Sequence, residues 1–277
     1  MSDRVSISID ASGVADVRLN WPDKMNACDS AMFSALDAVG REVASNPSVR
    51  AVVLSGEGRA FCAGLDVQSF GKMSEPRESS RASTAAENSE LLAESARSAA
   101  NFAQRAAWVW TEVPVPVIAA VHGVAFGAGI QIALAADIRF IAPDARMSVM
   151  EVKWGLIPDV TGTQTLRRLV RLDIAKELTF SGRIVPGTEA VELGLATHLS
   201  DTPREAALEL AREIAARSPD AIRAGKHLLN ESVQVSVDEG LRLESSIQAT
   251  LIGTPNQTEA VRANLEKRTP AFSDPKA

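Results

Sequence analysis

Apolar and polar residues alternate at the start of the chain. Val5, Ile7 and Ile9 on one side of Gly13, and Val14, Val17 and Leu19 on the other, stand between polar neighbours, which predicts a hairpin of two half-buried strands. After the loop NWPDKMNACDS the period lengthens: Met32, Ala35, Leu36, Val39 and Val43 fall on one helical face, Asp29 or Ser30 can cap it, and Asn46–Pro47 ends it. Ala51 to Leu54 is a short buried strand closed by the turn residues SGEG. From Gln68 to about Glu90 apolar periodicity is lost in a run rich in Ser, Glu and Arg, read as a mobile surface segment or lid; a helix is expected from Leu91 to Trp110.

The chain turns on Val113 to Ala136, VPVPVIAAVHGVAFGAGIQIALAA, which holds no formally charged residue. Val115 to Val121 is short and apolar, so it reads as a buried strand, while Gly127, Ala128 and Gly129 open a small-residue helix. Pro114, Pro116, His122, Gln131 and the glycines argue against a membrane span of similar length. Ile138 to Ile141 is a further strand, SVMEVKWGLIPD a loop, and helices are expected over Thr163–Leu172 and Asp173–Phe180. From Asp201 helix follows helix. Thr202 with Glu205 and Ser236 with Glu239 have capping-box spacing, and Pro203 and Pro219 suit first turns. One main body over residues 1–200 and a helical subdomain over 201–277 is the division that results.

Composition narrows the class. With 277 residues, 45% hydrophobic and 23% charged, the chain can bury a substantial core. A net charge of −6 supplies no broad basic field, which disfavours nucleic acid as a partner. Cys28 and Cys62 make neither a disulfide framework nor a zinc site, so no metal is expected and a reducing compartment follows; MSDRVSISID lacks the features of a signal or transit peptide, and a cytoplasmic location is expected.

The glycines at the strand-to-helix junction let another molecule approach the backbone where the free N–H groups of the first turn face it, a place suited to developing negative charge. GxGxxG would need glycine at Ile132 and no GK[ST] follows, so the junction is no nucleotide fingerprint. RAFCAGLD, Arg59 to Asp66, is a second loop of the same character.

RAFCAGLD at 59–66, AAVHGVAFGAGIQIALAADIRF at 119–140 and MEVKWGLIPDVTGTQTLRRL at 150–169, in that order and spacing, resemble the crotonase family, the enoyl-CoA hydratase/isomerase superfamily. The resemblance covers nearly the whole chain. It implies an α/β fold of ββα turns in two roughly perpendicular sheets with a C-terminal helical trimerisation region, and a homotrimer or homohexamer. It also implies an acyl-CoA thioester substrate whose enolate is held by two backbone N–H groups, and no cofactor beyond the CoA moiety. On this chain those donors are Leu65, after Gly64, and Ala128, between Gly127 and Gly129; losing one such donor costs about 10²–10³ in rate. Ala63, Asp66, Val67 and Gln68 fall where members of the family line the substrate; Lys24 in the N-terminal loop can approach a CoA phosphate, or be a solvated lysine of a polar loop.

Hydratases of the family are similar in using two glutamates. Here the first position is Gln131, which is no base, and the second is Glu151; eight residues on, where glycine is usual, stands Asp159, as in the family's dienoyl-CoA isomerases. Hydration with one carboxylate needs Gln131 to orient a water, whereas double-bond migration needs only a base such as Glu151, alone or with Asp159. Read from the residues alone, Glu151 can instead pair with Lys153 or Arg146, and Asp159 can be a turn residue after Pro158. The loss of the first glutamate also leaves open a weakly active acyl-CoA-binding relative. His122 reads as structural and Cys62 as small filler.

Overall fold

The apolar runs flanking Gly13 form the expected hairpin: β1 (Val5–Ile9) pairs antiparallel with β2 (Val14–Leu19), Val5 opposite Leu19. The structure, a computed structural model, describes residues 4–66, 94–95 and 98–275. The expectation of a lid over 68–90 lies outside the described residues, as do Val67 and Gln68.

Helix α1 (Ser30–Ser45), capped by the Asp29 side chain on Met32 N–H, leads into β3 (Ala51–Gly56). Two short strands follow, β4 (Glu94–Ser95) and β5 (Ser98–Asn101), then α2 (Phe102–Glu112). The helix expected from Leu91 to Trp110 is therefore shorter and later, because Asn101 and Gln104 form a reciprocal capping box that fixes its first turn at Phe102. Next come β6 (Val117–Val121), β7 (Val124–Phe126), α3 (Ala128–Leu134), β8 (Ile138–Ile141) and β9 (Arg146–Ser148). Then α4 (Gly162–Leu169), α5 (Leu172–Ser181), β10 (Val185–Pro186), α6 (Gly187–Leu193) and β11 (His198–Leu199) complete the body. Helices α7 (Pro203–Ala215), α8 (Pro219–Ser232), α9 (Val237–Leu251) and α10 (Pro255–Glu266) close the chain.

The larger sheet has the order β1-β2-β3-β6-β8-β11, parallel from β2 onward; the smaller runs β10-β9-β7, with β7 and β9 parallel. Its central strands are apolar on both faces because both faces are covered. Val52, Leu54, Val117, Ala119 and Val121 join the main core with α1 and α2, while Ala51, Val53, Ile118 and Ala120 meet Ala207, Ala211 and Ala215 of α7. Small residues on α7 let it lie close against the sheet.

At the C-terminal helices the two capping expectations diverge. Ser236 and Glu239 make the full capping box, whereas Thr202 makes no side-chain cap and Pro203 alone marks the first turn of α7. Helix α8 is tied to the body by Lys226, buried, whose Nζ donates to Asp137 Oδ2 at 2.7 Å, Val115 O at 3.1 Å and Trp110 O at 3.3 Å. Asp137 in turn accepts from Val117 N–H at 2.8 Å, so one carboxylate joins strand, turn and outer helix. Helix α9 has no buried residue, and Val237 and Leu241 on it are exposed together with Leu229, Val233, Ile252 and Leu265 nearby in sequence. Among the described residues no helix is long and apolar enough to cross a membrane. Replacing Lys226 with Met should cost about 2–4 kcal/mol in urea unfolding, since it strands a partly buried carboxylate and two carbonyls.

Candidate active site

The site is assembled by backbone pairing between distant loops. Loop 61–66 runs beside β7: Cys62 N–H donates to Val124 O at 3.0 Å and Phe126 N–H to Cys62 O at 3.0 Å. Further along, Cys28 N–H donates to Gly64 O at 2.7 Å and Asp66 N–H to Cys28 O at 3.0 Å. In such a parallel pair the residue between, Leu65, turns its own N–H to the opposite side.

Two glycines permit the approach. Gly64 has φ 91°, and a Cβ on it would sit 2.6 Å from Phe126 O and 3.7 Å from Ala128 N. Gly127, φ 52°, ends β7 and starts α3, its N–H donating to Ser148 O at 3.0 Å. Ala128 is the first residue of the helix and its N–H has no carbonyl one turn back. Among the described residues no backbone acceptor is found for the N–H of Leu65 or Ala128.

Glu151 begins a 3₁₀ turn, Glu151–Trp154, just after β9, and its Oε1 lies 3.4 Å from the place a Cβ on Gly127 would take. Its side chain is buried; Oε1 accepts from Gln131 Nε2 at 2.6 Å, and Oε2 is buried without a partner. Neither Lys153 nor Arg146 forms an ion pair with it among the described residues. Burial raises the Glu151 pKa, the Gln131 amide offsets part of that rise, and the charge of Asp159 adds to it.

Gln131 Oε1 accepts from Val160 N–H and Gly162 N–H, both at 2.8 Å, and a Cβ on Gly162 would lie 2.6 Å from that oxygen. Thr161 between them adopts a left-handed φ of 68° and buries its hydroxyl without a partner. Asp159 keeps one side open to solvent, yet protein packed on its other side raises its pKa.

The structure thus brings together Leu65, Gly127, Ala128, Gln131, Glu151 and Asp159. Ala63 N–H donates to Met25 O at 2.9 Å, which sets exposed Lys24 one residue from the same loop. Asp66 is buried at the loop's end. His122 lies 3.0 Å from Gly58 O, and Cys62, a buried free thiol, lies 3.6 Å from Cys28 Sγ, both as the structural readings expected. Sequence reasoning missed Asn26. Fully buried with φ 55°, it accepts from Trp21 N–H and donates to Glu57 O and Ala60 O, supporting loop 61–66 from below. The readable signal was an Asn in a turn, a residue that tolerates left-handed backbone.

A fold of parallel strands with two converging glycine loops and a buried carboxylate defines an enzyme class that handles a developing oxyanion. The family profile described as enoyl-CoA hydratase/isomerase matches residues 10–275, and the chain belongs to that family, the crotonase superfamily of lyases and isomerases. It is 32% identical over 270 residues to human mitochondrial methylglutaconyl-CoA hydratase, covering 94% of this chain and 74% of that one. It is 31% identical over 265 residues to the peroxisomal Delta(3,5)-Delta(2,4)-dienoyl-CoA isomerase of Arabidopsis thaliana, covering 95% and 93%. The crystal structure of enoyl-CoA hydratase from Bacillus anthracis superimposes with a TM-score of 0.84 at 30% identity, covering 97% and 98%.

A carboxyl whose pKa rises on folding favours the folded state in its protonated form, and that contribution is lost as pH climbs through the raised value. Glu151→Gln should therefore raise the thermal midpoint at pH 7 to 8, with the gain fading below about pH 4, where the wild-type carboxyl is protonated in both states. Calorimetry across that range checks it.

Proposed function

We propose that this enzyme moves a double bond along an acyl-CoA thioester, with Glu151 as the base and the N–H groups of Leu65 and Ala128 as the oxyanion donors. The observation that carries the reading is the buried Glu151 carboxylate, whose Oε1 lies 3.4 Å from the place a Cβ on Gly127 would take and whose Oε2 has no partner, next to the junction that holds the free Ala128 N–H. Bound at the glycine loops, a 3-enoyl thioester has its carbonyl oxygen between the two amides. Glu151 Oε2 takes the proton from the alpha carbon; that C–H pair moves into the conjugated enolate, and charge collects on the thioester oxygen. The same carboxyl then returns the proton to the gamma carbon, the enolate pair closing to the 2-enoyl product. No water and no cofactor beyond the CoA enters the balance.

Asp159 favours a second substrate. Its charge acts on Glu151, so a 3,5-dienoyl thioester, whose proton must travel further along the chain, has a second carboxyl to receive it. Ala63, Asp66, Val67 and Gln68 would contact the CoA side, with Lys24 toward a phosphate. The uncovered apolar residues of α8 to α10 would meet other copies of this chain in a trimer or hexamer.

Two measurements follow. In a panel of 2-enoyl, 3-enoyl and 3,5-dienoyl thioesters, isomerisation should exceed hydration; Glu151→Gln should lower it by about 10²–10⁴, and Asp159→Gly should weaken the dienoyl reaction more than the 3-enoyl one. Hydration faster than isomerisation, or full turnover in Glu151→Gln, sinks the reading. The double variant V237E/L241E should shift the particle mass toward the monomer in light scattering.

A further inference from the structure

The neutral residue at position 131 is accounted for by the geometry around it. Both ends of the Gln131 amide are engaged within the protein: Oε1 by the amides of Val160 and Gly162, Nε2 by Glu151 Oε1. The residue is 1% exposed. The carbonyl oxygen already accepts two N–H bonds, leaving it no clear lone pair for a water. The first of those donors is the residue after Asp159, so a single side chain joins the Glu151 carboxylate to the loop that presents the second carboxyl.

We infer that Gln131 is a positioning residue that selects Glu151 Oε2 as the proton-carrying oxygen and sets the spacing between Glu151 and Asp159. The amide fixes one oxygen of Glu151 by donation, so the oxygen left for the substrate is the other one. Donation to the ionised form also keeps the carboxylate a usable base despite its burial. A carboxylate at 131 would still accept from Val160 and Gly162, but would set a second negative oxygen against Glu151 at the same short distance. Through the same bonds Gln131 becomes a determinant of the choice between 3-enoyl and 3,5-dienoyl substrates.

The inference rests on the reading of Glu151 as the base, and the two fail differently. In Q131E the acidic limb of the kcat/KM profile for 3-enoyl isomerisation should move up by about one pH unit or more, with kcat restored toward wild type at high pH. In Q131M, where both ends are lost, kcat should fall about 10–100-fold with KM little changed, and the dienoyl to 3-enoyl rate ratio should fall as well. Should Q131M not fold, Q131E, which keeps the loop anchors, decides. An acidic limb unmoved in Q131E overturns the inference, as does Q131E gaining 2-enoyl hydration with that limb in place, since position 131 would then face water. If Glu151→Gln exchanges the alpha proton of the thioester in deuterated water as fast as wild type, it is the base assignment that fails.

Discussion

Two loops separated by some sixty residues meet backbone to backbone, and the rest of the site depends on that contact. Gly64 against Phe126 and Gly129 against Cys62 leave no room for a Cβ, so the main chains approach as closely as strands in a sheet. The approach is enforced from both sides: β7 hydrogen-bonds Cys62, and Cys28 hydrogen-bonds Gly64 and Asp66. Once these pairs form, the N–H groups of Leu65 and Ala128 are left without a backbone acceptor among the described residues. Two N–H groups left free in this way are a by-product of satisfying their neighbours.

The same region accepts costs that a purely structural core avoids. Glu151 is buried with one oxygen unpaired, and Thr161 combines a left-handed backbone with a buried, unpartnered hydroxyl. Each is unfavourable by itself, and the two stand close together in the chain, at the loop that Gln131 ties to Glu151. The compensation is spread through the two cores, where the sheet is sealed on one face by α1 and α2 and on the other by α7.

Much of this was legible in the residues. The hairpin, α1, β3, the β6 strand and the glycine junction follow from period and turn chemistry, and three segments in register carried the family. What period could not show was β7, three residues long and too short for alternation to register, or the start of α2, decided by one Asn–Gln box within an expected helical run. At the site, Leu65, Ala128 and Glu151 were readable as residue types in motifs. The use of Gln131 was not, because a glutamine announces neither charge nor period, and its meaning lies in three hydrogen bonds to residues twenty to thirty-one positions away. Asn26 escaped for the same reason.

Helix α9 shows a different dependence. Fifteen residues of helix with none buried have little beneath them, and an isolated helix of that length is marginal in water. Its capping box and its packing on α8 supply the local support. With so little beneath it, this end of the chain opens at a lower cost than the covered sheet, and its amides would exchange with solvent ahead of those in β3 and β6.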